Sequence, residues 1–152
     1  MTLRDLTPFD IEAAISLGAR MHKESVYRDF DYDKQKCGQL LYRCLSNPDT
    51  HFAMVTETDG KLTGMLLGYI SEHYFGRDLI ASDYLWYVLP EHRGSRAGLQ
   101  LLIAFQDWAK ARNAAEVYMG ISSGLHAEKT GALLTKIGYD VVGGNYKLRV
   151  VK

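Results

Sequence analysis

Net charge is missing from this sequence: 18 Lys+Arg against 18 Asp+Glu leave a formal charge of zero. That balance removes the electrostatic basis for non-specific nucleic-acid binding, although a basic patch can still form locally. Long apolar runs are missing too. No stretch approaches the ~18 residues that cross a bilayer, and Met1-Thr2-Leu3-Arg4-Asp5 carries no apolar signal-peptide core. The expectation is a cytoplasmic protein without membrane contact. Cysteine is scarce. Cys37 and Cys44 lie in a helix-like segment, where ~1.5 Å of rise per residue sets their Cα atoms roughly 10 Å apart, too far for a disulfide. With no further cysteine and no paired histidine spacing they make a poor zinc site, so no metal is expected. Buried thiols in a reducing compartment are the simpler reading. Repeats and low-complexity linkers are absent, which leaves residues 1–152 as a single domain.

What remains is ordinary globular material, 47% hydrophobic and 24% charged, enough to bury one core. Residues 2–6 read as a short strand. Thr7-Pro8-Phe9-Asp10 then reads as a helix start, with Thr7 at the N-cap and Pro8 at the first helical position. Ile11, Ala14, Ile15, Gly18 and Met21 follow at helical spacing. A second helix starts near Asp33, turns Cys37, Leu40, Leu41 and Cys44 inward, and stops before Asn47-Pro48. Residues 51–58 and 62–73 read as a hairpin around Asp59-Gly60, and 79–89 as a third strand ending at Pro90. A helix over about 98–113 carries the apolar stripe Leu101, Leu102, Phe105, Trp108 and Ala109. A strand over 116–121, a helix over about 126–137 closed by Gly138, and strands over 139–142 and 146–151 complete the chain. The order β-α-α-β-β-β-α-β-α-β-β implies an α+β fold with a mixed sheet.

The segment from Leu85 to Leu102 concentrates the chemistry. An apolar strand stops at Pro90, a short loop holds Arg93, Gly94, Arg96 and Gly98, and a helix begins at once. A helix's first turn offers unpaired N–H groups and the positive end of its dipole. Small residues just before it let a diphosphate approach the backbone, and Arg93 and Arg96 add charge-assisted donors. No Gly-Lys-Ser/Thr follows, which excludes a Walker loop. The spacing Gly94-x-x-x-Gly98 is also not the G-x-G-x-x-G of a dinucleotide site.

The stretch Trp86-Tyr87-Val88-Leu89-Pro90-Glu91-His92-Arg93-Gly94-Ser95-Arg96-Ala97-Gly98-Leu99-Gln100-Leu101-Leu102 resembles motif A of the GNAT acetyltransferases. The element order and the ending Leu133-Leu134-Thr135-Lys136-Ile137-Gly138-Tyr139 are similar to that family as well. The compact Pro-Glu-His-Arg-Gly-Ser-Arg-Ala-Gly loop also resembles GNAT proteins of bacteriophage genomes. The resemblance implies a central mixed, mostly antiparallel sheet of about six to seven strands with about four helices. It implies an N-acetyltransferase that takes acetyl-CoA as cosubstrate and acetylates a primary amine of a small molecule, peptide or protein lysine by direct attack on the thioester. Backbone groups of Tyr87 and Val88 would meet the thioester and pantetheine arm, with Trp86 and Ser122 as further contacts. Arg93, Gly94, Ser95, Arg96, Ala97 and Gly98 would wrap the pyrophosphate. Arg96 stands where the family has its first glycine, a departure that calls for a different loop or brings a guanidinium to a phosphate.

An amine of pKa ~10.4 is protonated at neutral pH, so a base or a dry pocket must assist. The resemblance places an acidic residue about ten positions before Arg93, which is Asp83; Glu72, on the neighbouring strand, is the second candidate base. The family's general-acid tyrosine falls at Leu134, leaving Ser122, Ser123, Tyr87 or unaided thiolate departure. His126 reads first as a helix start. The connection between the first two helices often frames the acceptor in this family, and here supplies Tyr27, Asp29, Phe30 and Asp31, with Glu24, Asp33 and Tyr32 beside them. Carboxylates and aromatic faces suit a cationic amine. A homodimer paired through the C-terminal strands is a further implication. The reading from another class is a non-catalytic GNAT-fold module that binds acyl-CoA or a partner protein.

Overall fold

The computed structural model describes residues 1–150. Strand β1, Thr2–Asp5, leads into the Thr7 turn, where the Asp10 carboxylate accepts from the Thr7 amide at 2.8 Å and its hydroxyl at 2.7 Å. That contact closes a single 3₁₀ turn, Pro8–Asp10, before helix α1 runs over Ile11–Glu24. Helix α2, Lys34–Ser46, starts where Asp33 accepts the Lys36 amide at 3.0 Å. Strands β2 (His51–Thr58) and β3 (Lys61–Glu72) meet at Asp59-Gly60, whose φ values of +52° and +73° form the left-handed pair that suits a twisted hairpin. Strand β4 (Leu79–Val88), helix α3 (Ala97–Ala111), strand β5 (Glu116–Tyr118) and helix α4 (Ala127–Lys136) follow. Among the described residues no helix is long and apolar enough to cross a membrane.

The sheet order is β1-β2-β3-β4-β5, antiparallel throughout except for the parallel β4–β5 pair. Alternation of side chains splits the core in two. On one face Leu17 of α1 and Leu41 and Cys44 of α2 pack against Val55, Met65, Leu67 and Tyr87. On the other, Leu101, Phe105 and Ala109 of α3 cover Phe52, Leu66 and Ala81. Because both faces of β3 are covered, Thr63 through Gly68 are all buried, and the strand reads as a continuous run rather than an alternating one. Gly68 is where α3 comes closest: a Cβ there would lie 2.5 Å from the Phe105 ring and 3.0 Å from the Ser82 carbonyl.

The fold is thus α+β with four helices and a mixed sheet, in the order expected. The sheet has five strands rather than six to seven. Residues 139–150, expected to supply two more, form no ladder, and residue 151 of the second lies outside the described part. Tyr146, Leu148 and Val150 keep the alternation of a strand, but β5 offers them an edge only three residues long.

Candidate active site

The β4–β5 ladder has three pairs, Ile80↔Glu116, Ala81↔Val117 and Ser82↔Tyr118. One residue later a side chain replaces the backbone: Asp83 Oδ1 accepts the Gly120 N–H at 2.8 Å. Tyr84 sits in a bulge, since Leu67 pairs with Leu85 while Gly68 pairs with Asp83. Beyond this point β4 and the chain after β5 part. A cavity of about 680 Å3 opens between Tyr84–Val88 on one wall and Ile121, Ser122, Ser123 and Leu125 on the other. That volume lies within the range of small-molecule sites. Burial raises the Asp83 carboxyl above its ordinary value, while the Gly120 N–H pulls the other way.

The cavity's mouth is built by the loop before α3. Pro90–His92 forms a 3₁₀ turn, and Gly94 takes φ +83°, which a residue without Cβ adopts freely. Ser95 Oγ accepts the Ala97 amide at 3.2 Å and donates to the His92 carbonyl at 2.7 Å, so this hydroxyl caps α3. The amides of Gly98 and Leu99 belong to the first turn and have no intrahelical acceptor. Trp86 donates its indole N–H to the Gly98 carbonyl at 3.1 Å, docking that first turn on β4. Arg96 lines the cavity with φ −79°, an ordinary helical conformation, so the backbone at this position does not require glycine. Lys129 and Thr130, from the first turn of α4, face the same space. No motif signals either of them; only the fold brings α4 opposite α3.

Arg93 turns inward. Its Nε donates to the Val88 carbonyl at 2.9 Å, Nη2 pairs with Glu24 at 2.8 Å, and Nη1 donates to His126 Nε2 at 3.2 Å. A guanidinium has no acceptor atom, so that His126 nitrogen carries a lone pair. The Tyr87 hydroxyl donates to the other Glu24 oxygen, and Arg93 lies 5.4 Å from the Tyr87 ring centroid. Burial raises Glu24, but the hydrogen bonds from Tyr87 and Arg93 outweigh it and hold the carboxyl below its ordinary value. Burial and the Glu24 carboxylate together push the Tyr87 phenol well above its ordinary value, so it stays a donor at neutral pH. Glu24, which the sequence offers only as one of several loop acids, therefore joins the end of α1 to the end of β4 and to Arg93, which in turn reaches His126 before α4.

The other expected site residues fall in two groups. Glu72 pairs with Leu79 at the far end of the β3–β4 hairpin from Val88, exposed and away from the cavity. Leu134, at the position of the family's tyrosine, is a buried side chain. Tyr27 and Phe30 lie with ring centroids 5.7 Å apart, and the Val26 amide donates to the Ser123 carbonyl at 2.9 Å, tying this connection to the cavity's second wall. Asp29 pairs with Arg149 at 3.2 Å, Asp31 is exposed, and Asp33 is spent on capping α2. Among the described residues no group of three or more His, Cys, Asp or Glu side chains could hold a metal ion.

The family model for the Acetyltransferase (GNAT) family matches residues 18–138. No curated protein matches the sequence. Among solved structures the chain is similar to aminoglycoside 6'-N-acetyltransferase AAC(6')-IG from Acinetobacter haemolyticus, at 16% identity and TM-score 0.73, covering 100% of this chain and 98% of that one. It is similar to the ribosomal-protein-alanine N-acetyltransferase of Brucella melitensis, at 18% identity and TM-score 0.73, covering 99% and 100%. A third, AAC(6')-Iy in complex with the bisubstrate analog CoA-S-monomethyl-acetylneamine, aligns at 17% identity and TM-score 0.74 over 99% and 98%.

Proposed function

Because the chain belongs to the GNAT acetyltransferase family, whose model spans residues 18–138, we propose that it transfers an acetyl group from acetyl-CoA to a primary amine. The observation that carries this reading is the fork between β4 and β5, which opens an apolar-walled cavity ending at the N-terminus of α3. The residues fit the cosubstrate. Leu85, Trp86 and Val88 offer an apolar wall for a pantetheine arm, and the backbone of Tyr87 and Val88 lies along it. The loop Gly94, Ser95, Arg96, Ala97 and Gly98, with its first-turn amides, suits a diphosphate. Arg96 and Lys129 supply the positive charge, since Arg93 is neutralised by Glu24. Ser122 stands on the opposite wall.

Acetyl-CoA supplies the activated acyl group as a thioester. Asp83 is the carboxylate of the cavity whose second oxygen is not used by Gly120, and burial moves its basicity toward the neutral range where a general base works best. We assign it the amine proton. Glu72 lies too far from the cavity to share that task. Ser122 and Ser123 remain the donors available to a leaving sulfur, since the one Tyr87 hydroxyl proton is given to Glu24, and a thiol of pKa ~8.5 also departs without one. We assign Tyr27, Asp29, Phe30 and Asp31 to the acceptor end; the Val26–Ser123 hydrogen bond, which ties their connection to the cavity's second wall, supports that assignment.

Calorimetric titration with acetyl-CoA, followed by thiol release across a panel of primary amines, tests the proposal. Binding with amine-dependent thiol release is the expected result, and absence of acetyl-CoA binding overturns it. Arg96→Ala should weaken acetyl-CoA by about five- to tenfold, the loss of one partly solvated charge-assisted contact. Binding without turnover on any amine would instead favour a non-catalytic acyl-CoA module, a reading that Leu134 in the tyrosine position keeps open.

A further inference from the structure

The last described stretch of the chain docks in an inverted way. Lys147 Nζ donates to the Val26 carbonyl at 3.3 Å and sits 5.5 Å from the Tyr27 ring centroid, while Arg149 Nη2 meets Asp29 at 3.2 Å. The alternate residues Tyr146, Leu148 and Val150 stay 97%, 86% and 84% exposed. A terminal segment normally docks by burying its apolar side chains and leaving its charges in water. Here the two cations face the protein and the apolar side chains face solvent.

What the cations find is a strip of three different acceptors: a backbone carbonyl, an aromatic face and a carboxylate. Those groups suit an ammonium followed by a guanidinium. The strip is bolted to the cavity. Besides the Val26 amide on the Ser123 carbonyl, Val26 Cγ1 lies 2.5 Å from where a Cβ of Gly124 would stand, at φ +72°, so the connection presses directly on the cavity's rim. Its present occupant is loosely held. The Arg149 and Asp29 side chains are 43% and 58% exposed, the setting in which ion pairs contribute least.

We infer that Val26, Tyr27 and Asp29 form a subsite for an extended basic peptide carrying positive charges on alternate residues, and that Lys147-Leu148-Arg149 occupies it in cis as a competitor. An extended chain places such residues roughly 6.6 Å apart, and the chain's own segment shows two cations seated at once. Resting on the acetyltransferase reading, the subsite would hold the basic stretch next to the amine being acetylated, which makes basic peptides the acceptor class. The binding itself does not depend on that reading.

Fluorescence anisotropy of a fluorescein-labelled Tyr-Lys-Leu-Arg-Val amide separates the two. Lys147→Ala with Arg149→Ala, both on an exposed arm, should tighten the peptide about two- to fivefold and leave acetyl-CoA affinity by calorimetry unchanged. Asp29→Asn added to that background should reverse most of the gain, and a Tyr-Leu-Leu-Leu-Val control should not bind. Spermidine should displace the peptide only weakly. Equal peptide affinity in the wild type and the double arm variant overturns the cis competitor. Indifference to Asp29→Asn overturns the subsite, and displacement by spermidine as strong as by unlabelled peptide overturns the peptide class. Failure of acetyl-CoA to bind, with the anisotropy results intact, overturns only the transferase reading.

Discussion

Asp10 is held by more than its own segment. Besides the Thr7 turn, it receives both Arg4 terminal nitrogens, at 2.8 and 2.9 Å, and Arg4 also meets Glu57 on β2 at 2.6 Å. The Arg4 hydrogen bond is the main reason the Asp10 carboxyl lies well below its ordinary 3.8. The folded state therefore binds this proton less readily than the unfolded chain. The stabilisation is complete above that ordinary value and is lost as pH falls through the lower folded one. Asp10→Asn should cost about 1–3 kcal/mol at neutral pH and flatten the acid limb of a stability–pH curve from urea unfolding; an unchanged limb would assign the acid sensitivity elsewhere. Gly68 makes an independent demand. A methyl group there must displace the Phe105 ring or the Ser82 carbonyl, so Gly68→Ala should destabilise by about 1–3 kcal/mol through overpacking. Thermal unfolding at wild-type midpoint would contradict this. Neither demand is written near its residue: Thr7, Pro8 and Asp10 announce a turn, but Glu57 and Phe105 become neighbours only when the sheet and α3 assemble.

At the scale of elements, the cavity exists because β4 and β5 pair briefly and then part, and Asp83 stands at the fork. The proposed base and the pin of the Gly120 N–H are the same carboxylate, and two substitutions pull the roles apart. Asp83→Asn keeps an oxygen for the Gly120 N–H but cannot take a proton. As base, its loss should lower kcat by about 100-fold or more with acetyl-CoA affinity retained. The rise of kcat/KM with pH through the Asp83 value, which lies above the ordinary 3.8, should disappear as well. Asp83→Ala removes the pin too and should weaken acetyl-CoA in addition. An Asn variant with wild-type kcat would leave Asp83 as a pin alone. Motif A was legible beforehand because strand end, turn and helix start are consecutive in the chain, so local propensity and pattern specify them. The Asp83–Gly120 and Arg93–Glu24 contacts span 37 and 69 residues, respectively, and no spacing rule reaches that far. That is why the pairing of Arg93 with Glu24 was not legible in the sequence.

Across the whole molecule, the C-terminal arm is the feature least settled by one chain. Its apolar face is exposed, and a second cavity of about 980 Å3 lies between the free edge of β5, α4 and residues 139–145. We propose that a second copy pairs there, covering Tyr146, Leu148 and Val150, while the basic face of the arm remains on the 26–29 strip. Sedimentation equilibrium at tens of micromolar should then show a homodimer that Tyr146→Ser with Leu148→Ser converts to monomer; a monomeric wild type at all concentrations would remove the dimer. The sequence by itself determined the element order through α4, the hairpin at Asp59-Gly60, the helix α3 and the turn before it, because each depends on residues adjacent in the chain. Only the tertiary structure decided that the β4–β5 fork is pinned by Asp83, that Arg93 pairs with Glu24, and that Glu72 stands away from the cavity. Those outcomes depend on which groups, distant in the chain, the packed sheet and helices bring together, where a half-buried charge or N–H is satisfied by the nearest partner.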